Sequence, residues 1–222
     1  MTRHSHEDAI NERTFENLVD AAETLDDPYR TEGKFILYAC GRLGLRGGEL
    51  AHVREGWINW DRSLIEIPTH DPCDKGRDGG PCGYCHKRAR SKIEFEPSLS
   101  YDEALAQRWE PKTSNSARPV PFDFNEEIAQ AVEDFFWSYD RYDHSRVSVN
   151  RRVSRVCKAA GLPESTTYPH ALRATAATFH AYRGLSPVAL QALMGWNDLV
   201  TAQKYIRLTG EATAQALRDA HS

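Results

Sequence analysis

The stretch Tyr168-Pro169-His170-Ala171-Leu172-Arg173, followed on through Gly195-Trp196 to Tyr205, decides how the rest of the chain is read. His170, Arg173, Ala176, Ala177 and His180 are spaced along one predicted helix. Ser186-Pro187 is a good N-cap and N1 pair, and Leu185 and Leu190 are spaced as a hydrophobic staple, so a second helix runs from there to Gly195. A third begins near Asn197-Asp198 and carries Tyr205 near its far end, nine positions after Trp196. A phenol, an imidazole, a guanidinium and an indole N–H are an odd collection for a core. They suit gripping and attacking a phosphodiester.

Upstream, the hydrophobic pattern is mostly helical. Phe15, Leu18, Val19, Ala22 and Leu25 make residues 7–26 an amphipathic N-terminal helix that Asp26-Asp27-Pro28 ends. A nearly all-apolar helix runs from about Thr31 through Cys40 and belongs in the core. Gly44-Leu45-Arg46-Gly47-Gly48-Glu49-Leu50 then places Arg46 on a turn, with Glu49 starting a further helix through Val53. Trp57–Trp60 and Ser63–Pro68 alternate around Asp61-Arg62 as a β-hairpin. Pro111 to Phe122 reads as two short extended arms around a polar turn, with Lys112 on the first. Ile128, Val132, Phe135, Phe136 and Tyr139 define a core-facing helix, and 145–160 another. The outer face of the latter carries Arg151, Arg155 and Lys158, with Arg152 between, a candidate DNA-binding row.

Composition sets bounds without naming a function. The 222 residues are 40% hydrophobic and 27% charged, as in an ordinary globular protein with one domain or a domain plus an insertion. No apolar run reaches the roughly 20 residues of a membrane span, and no signal-peptide pattern opens the chain, so a cytoplasmic protein is expected. A net charge of -4 and a pI near 6.1 argue against binding nucleic acid by bulk charge, while leaving room for one basic face.

Cleaving DNA with a tyrosine sets definite requirements. A phenol with pKa about 10 must lose its proton as it attacks. Guanidinium forks best match the charge that develops on the phosphoryl oxygens, and the departing 5′ oxygen needs an acid, for which lysine serves. An indole N–H can hold phosphate without changing protonation state. Arg46, Lys112, His170, Arg173, Trp196 and Tyr205 supply each of these groups.

Gly44-Leu45-Arg46-x-x-Glu49-Leu50, Pro111-Lys112-Thr113 with Arg118-Pro119-Val120-Pro121, His170-x-x-Arg173, and Gly195-Trp196 with Tyr205 together resemble the catalytic domain of the tyrosine recombinases, or phage-integrase family, over residues 10 to 215. The resemblance implies an α+β, mainly helical fold: a helical bundle with a small antiparallel sheet. It implies Tyr205 as nucleophile forming a 3′-phosphotyrosyl link, Arg46 and Arg173 clamping the phosphate, and Lys112 as general acid. His170 would assist proton transfer, and Trp196 would contact phosphate where many members have His. No cofactor is expected for catalysis. The expected partners are double-stranded DNA at specific sites and other copies of the chain, as a tetramer on DNA with residues 206–222 exchanged between protomers. The expected function is integrase-type recombination. The alternatives are a non-cutting DNA-binding regulator and a type IB topoisomerase-like relaxing enzyme. The chain is expected to be a single catalytic domain without the separate N-terminal core-binding domain usual in the family.

Residues 69–92 differ in character, with His70, Cys73, Cys82, Cys85 and His86 set among glycines. The x2 spacing within His70/Cys73 and within Cys82/Cys85 suits two knuckles on one tetrahedral Zn²⁺, which would replace a core this insertion lacks. His70, Cys73, Cys82 and Cys85 are the expected ligands of a structural zinc, with His86 as the alternative fourth. The other reading is a loop with free thiols. Surrounding lysines and arginines suggest contact with the DNA backbone.

Overall fold

The computed structural model describes residues 8–106, 109, 114–210, 214, 217–218 and 221. Ten helices are found among them: α1 (Glu12–Glu23), α2 (Tyr29–Gly41), α3 (Gly47–Leu50), α4 (Gly83–Phe95), α5 (Tyr101–Ala106), α6 (Glu126–Ser138), α7 (Arg146–Ala159), α8 (Pro169–Tyr182), α9 (Pro187–Met194) and α10 (Leu199–Thr209). Three short strands, β1 (Ile58–Asn59), β2 (Leu64–Ile67) and β3 (Arg118–Pro121), form one antiparallel sheet in the order β1-β2-β3. The fold is therefore α+β and mainly helical, as expected.

The nearly all-apolar α2 is the axis of the bundle. Phe35, Ile36, Leu37, Ala39 and Cys40 are fully buried, and α1, α6, α7 and α8 pack around them. A helix apolar on every face is stable only where neighbours cover every face. Phe35 stacks on Phe135 of α6 with ring centroids 4.0 Å apart. Burial pushes the Cys40 thiol up to about 12, and Cys157 is likewise a buried core thiol.

Local sequence fixes most helix starts. Asn11, Asn125, Ser145, Ser186 and Asp198 each accept a backbone N–H of the first turn with their side chains, satisfying donors that have no partner within the helix. The cap at Asn11 sets α1 at Glu12–Glu23, shorter than the expected 7–26.

The hairpin is present, with Ile58 paired to Ile65 and Asn59 to Leu64. The second expected arm after Lys112 is β3, which pairs Val120 with Ile65. The first arm lies outside the described residues. The insertion is more ordered than its glycines suggest, because residues 83–95 form α4, with Cys85 and Ala89 buried.

Candidate active site and cysteine cluster

Three buried or half-buried arginines converge on one carboxylate. Glu49 is 2% exposed. Its Oε1 accepts from Arg46 Nη1 at 2.7 Å and Arg118 Nη1 at 3.1 Å, and its Oε2 accepts from Arg118 Nη2 at 3.2 Å. The same Oε2 accepts the Arg46 backbone N–H at 2.8 Å, closing the start of the one-turn helix α3. Burial by itself would raise the Glu49 pKa. The guanidinium charges of Arg118, Arg173 and Arg46 overcome this and hold it below the ordinary glutamate value.

The arginines also reach across to the far end of the chain. Arg46 Nη2 donates to Gly195 O at 2.8 Å, and Arg173 Nη2 donates to the adjacent Met194 O. Arg173 Nη1 donates to Gly44 O, two residues before Arg46. Arg118 Nε donates to Leu193 O at 2.7 Å. Two left-handed glycines make this meeting of turns possible. A side chain on Gly195 (φ 58°) would start 2.9 Å from Asn115 O, and one on Gly44 (φ 66°) would start 2.6 Å from Met194 Sδ. Burial first, then the charges of Arg46 and Arg118, pull the Arg173 pKa well below the ordinary arginine value.

Trp196 follows Gly195 directly, and its ring stacks on Tyr205 with centroids 5.2 Å apart and planes at 18°. Tyr205 is 5% exposed and packs with Ala177, Ala181, Leu190, Met194 and Ala202 in a small second core. His170 is exposed in the first turn of α8, one turn before Arg173. Arg46, Arg173, Trp196 and, through Trp196, Tyr205 are thus linked in one neighbourhood. Lys112 lies outside the described residues.

The expected DNA-binding row divides. Arg151 and Lys158 are exposed. Arg152 is turned inward, its Nε donating to Glu32 Oε2, while Arg155 lies 3.8 Å over the Tyr29 ring.

The cysteine insertion also rearranges the expected set. Single ligand atoms of His52, Cys73, Cys82 and Cys85 all lie within 4.8 Å of one another. His70, the expected fourth member, is exposed and does not belong to the group. Its replacement, His52, stands outside the insertion, just past α3. His86 instead meets the Tyr101 hydroxyl at 2.6 Å and stacks on its ring.

Two residues were missed in the sequence reading. Arg118 sits in a quoted motif but carries no sign of its partner Glu49, 69 positions away. His52 has no spacing relation to the cysteines that would mark it.

Comparison with protein-family models matches residues 9–211 to the phage integrase family. No curated protein matches the sequence. Among solved structures, the Tn1549 transposon integrase in complex with circular intermediate DNA is 20% identical, with a TM-score of 0.66, covering 96% of this chain and 67% of that one. A second structure of that integrase with circular intermediate DNA, also 20% identical, gives 0.65 over 94% of this chain and 65% of that one. The crystal structure of XerA recombinase is 18% identical, with a TM-score of 0.60, covering 96% of this chain and 64% of that one. The chain spans about two thirds of the length of these structures. With four sequence boxes in order, Arg46, Arg118 and Arg173 drawn to one set of turns, and a family match over nearly the whole length, the chain belongs to the phage integrase family.

Proposed function

We propose that this chain is the catalytic domain of a site-specific DNA recombinase, an integrase that breaks and rejoins DNA through a 3′-phosphotyrosyl intermediate. The observation that carries the reading is the convergence of Arg46 and Arg173 on the Met194–Gly195 turn, whose next residue, Trp196, stacks on Tyr205.

Tyr205 Oη attacks the scissile phosphorus and passes its proton to His170. The bond to the 5′ oxygen breaks, and Lys112 protonates that oxygen as it leaves. Arg46 and Arg173 pair the non-bridging oxygens, and the Trp196 N–H adds a neutral donor. Removing one such donor typically costs on the order of 10²–10³ in rate. Phosphotyrosyl linkage keeps the bond energy, so a 5′ hydroxyl can reverse the step with no cofactor consumed. Since Tyr205 is largely covered, its ring must leave the small core to reach DNA.

The partners on this reading are double-stranded DNA at specific sites and further copies of the chain, arranged as a tetramer on DNA with residues 206–222 exchanged between neighbours. The Tn1549 integrase was solved with circular intermediate DNA, which supports DNA as the partner here. The chain acts as a single catalytic domain, working in the cytoplasm where the DNA is. The Cys73/Cys82/Cys85 cluster is a structural zinc site with no part in the chemistry.

Incubation with nicked suicide substrates bearing candidate attachment sites tests this. A denaturation-resistant protein–DNA adduct that Tyr205→Phe abolishes is expected. Tight, specific binding without an adduct would overturn the reading in favour of a regulator. Relaxation of plasmids lacking the sites would replace it with a topoisomerase-like activity.

A further inference from the structure

We propose that Zn²⁺ is held by His52, Cys73, Cys82 and Cys85, and that it braces the insertion helix α4 against the Arg46 turn. The zinc reading above rests on the insertion's thiols; the inference here is a ligand from outside the insertion and the mechanical link that this ligand creates.

The geometry has the dimensions of a metal site. Tetrahedral Zn²⁺ with Zn–S about 2.3 Å and Zn–N about 2.0–2.1 Å sets sulfur–sulfur edges near 3.8 Å and sulfur–nitrogen edges near 3.5 Å. Cys82 Sγ and Cys85 Sγ are 3.8 Å apart, and His52 Nε2 lies 3.4 Å from the first and 3.6 Å from the second. A disulfide would need about 2.0 Å, so the thiols are gathered without being joined. Cys73 completes the group, its Sγ accepting the Cys82 backbone N–H at 3.4 Å.

The outer contacts fix the ligands. His52 Nδ1 lies 2.8 Å from Gly48 O. A carbonyl can only accept, so Nδ1 carries the proton and Nε2 offers its lone pair to the cluster. A backbone carbonyl behind a ligating imidazole is a usual orienting partner at metal sites. The ring also stacks on Trp109, with centroids 5.4 Å apart. Gly76 N–H closes the Cys73–Cys82 loop on Gly80 O at 2.7 Å, and Lys75 Nζ fastens that loop to Tyr142 O and His144 O at 2.6 and 2.7 Å. Cys73 and Cys85 are buried, so four protein ligands would close the shell and exclude catalytic water.

His52 makes the site more than a staple for a loop. Its Gly48 partner lies between Arg46 and Glu49 in the same helical turn. Zinc therefore connects α4, through one imidazole and one hydrogen bond, to the residues that set Arg46.

Purified full-length protein should carry one Zn²⁺ per chain. The cobalt-substituted form should show intense tetrahedral d–d bands with thiolate charge transfer. His52→Ala should weaken Zn²⁺ binding by at least about 10–100-fold, the usual loss for an outer-shell partner alone. His70→Ala and His86→Ala should leave it unchanged. His52→Cys should keep the metal with a four-thiolate cobalt spectrum, which separates a lost ligand from a misfolded chain. Stripping zinc should speed amide hydrogen exchange in residues 47–52 and 83–90. Absence of stoichiometric Zn²⁺ or Co²⁺ binding, loss in His70→Ala with retention in His52→Ala, or unchanged exchange in residues 47–52 would each overturn the proposal. These measurements need no DNA, so they stand or fall apart from the recombinase reading.

Discussion

Tyr205 lies nearly parallel to Trp196, the two rings 5.2 Å apart at 18°, so the proposed nucleophile and the proposed N–H donor to the phosphate are packed on one another. The stack contributes to docking α10 on α8 and α9. Aromatic pairs of this kind are worth about 0.5–1.5 kcal/mol beyond their burial. Tyr205→Phe should keep that contribution and leave urea stability within about 1 kcal/mol of the parent, while removing the DNA adduct. A double-mutant cycle with Trp196→Ala and Tyr205→Ala should return a coupling of about 0.5–1.5 kcal/mol. Additive losses would mean the rings meet without interacting.

Glu49 is the carboxylate on which the arginine cluster depends. Its folded-state pKa is lowered, so its stabilising contribution is present above the unfolded value and is lost as pH falls through the lower folded value. Glu49→Gln should cost about 3–5 kcal/mol near neutral pH, because the arginines it faces lose their counter-charge while still buried. It should also flatten the acid limb of stability against pH below about 4.3, where an ordinary glutamate protonates. Urea denaturation of both proteins across that range checks the sign.

Much of the bundle was legible in the sequence because its signals are local. The caps at Asn125, Ser145, Ser186 and Asp198 lie within three residues of the groups they satisfy, and the apolar period of α6 was readable directly. The order of Arg46, Arg173, Trp196 and Tyr205 was equally plain. What stayed hidden depends on distant pairing. Glu49 looked like the acidic start of a helix, and nothing nearby marked Arg118 as its partner. Helix α4 was obscured by Gly76, Gly79, Gly80 and Gly83, although the residues after Tyr84 are good helix formers. Arg152 was grouped with an outer row because it falls between Arg151 and Arg155 in the sequence, yet its place on the flank of α7 brings it to Glu32.

The two left-handed glycines at the arginine cluster differ from others of the same conformation. Gly184 has φ 83° with nothing within 4 Å of an added Cβ, so Gly184→Ala should pay only the strain of a left-handed alanine, about 1–2 kcal/mol. Gly195→Ala adds a collision with Asn115 O and the Arg118 side chain, and should cost clearly more. It should also slow adduct formation, since Gly195 O is where Arg46 is anchored. Equal thermal shifts for the two variants would show that the close approach has no energetic weight.

The divided cation row makes a prediction that separates DNA contact from folding. Arg151 and Lys158 are exposed on α7, and Lys87 and Arg90 are exposed on α4. If these side chains neutralise phosphates, each alanine substitution should reduce the slope of log K against log salt by about 0.9 without shifting Tm. Arg152 should behave in the opposite way. It is bonded to Glu32, which is 4% exposed, and Arg152→Ala leaves that buried carboxylate facing the His144 imidazole at 3.3 Å. An uncompensated group of this kind costs about 1–3 kcal/mol or more, so stability should fall while the salt slope holds. A variant of Arg152 that lowered the slope at unchanged Tm would put it on the DNA face, and would mean that the Glu32 contact is given up when DNA binds.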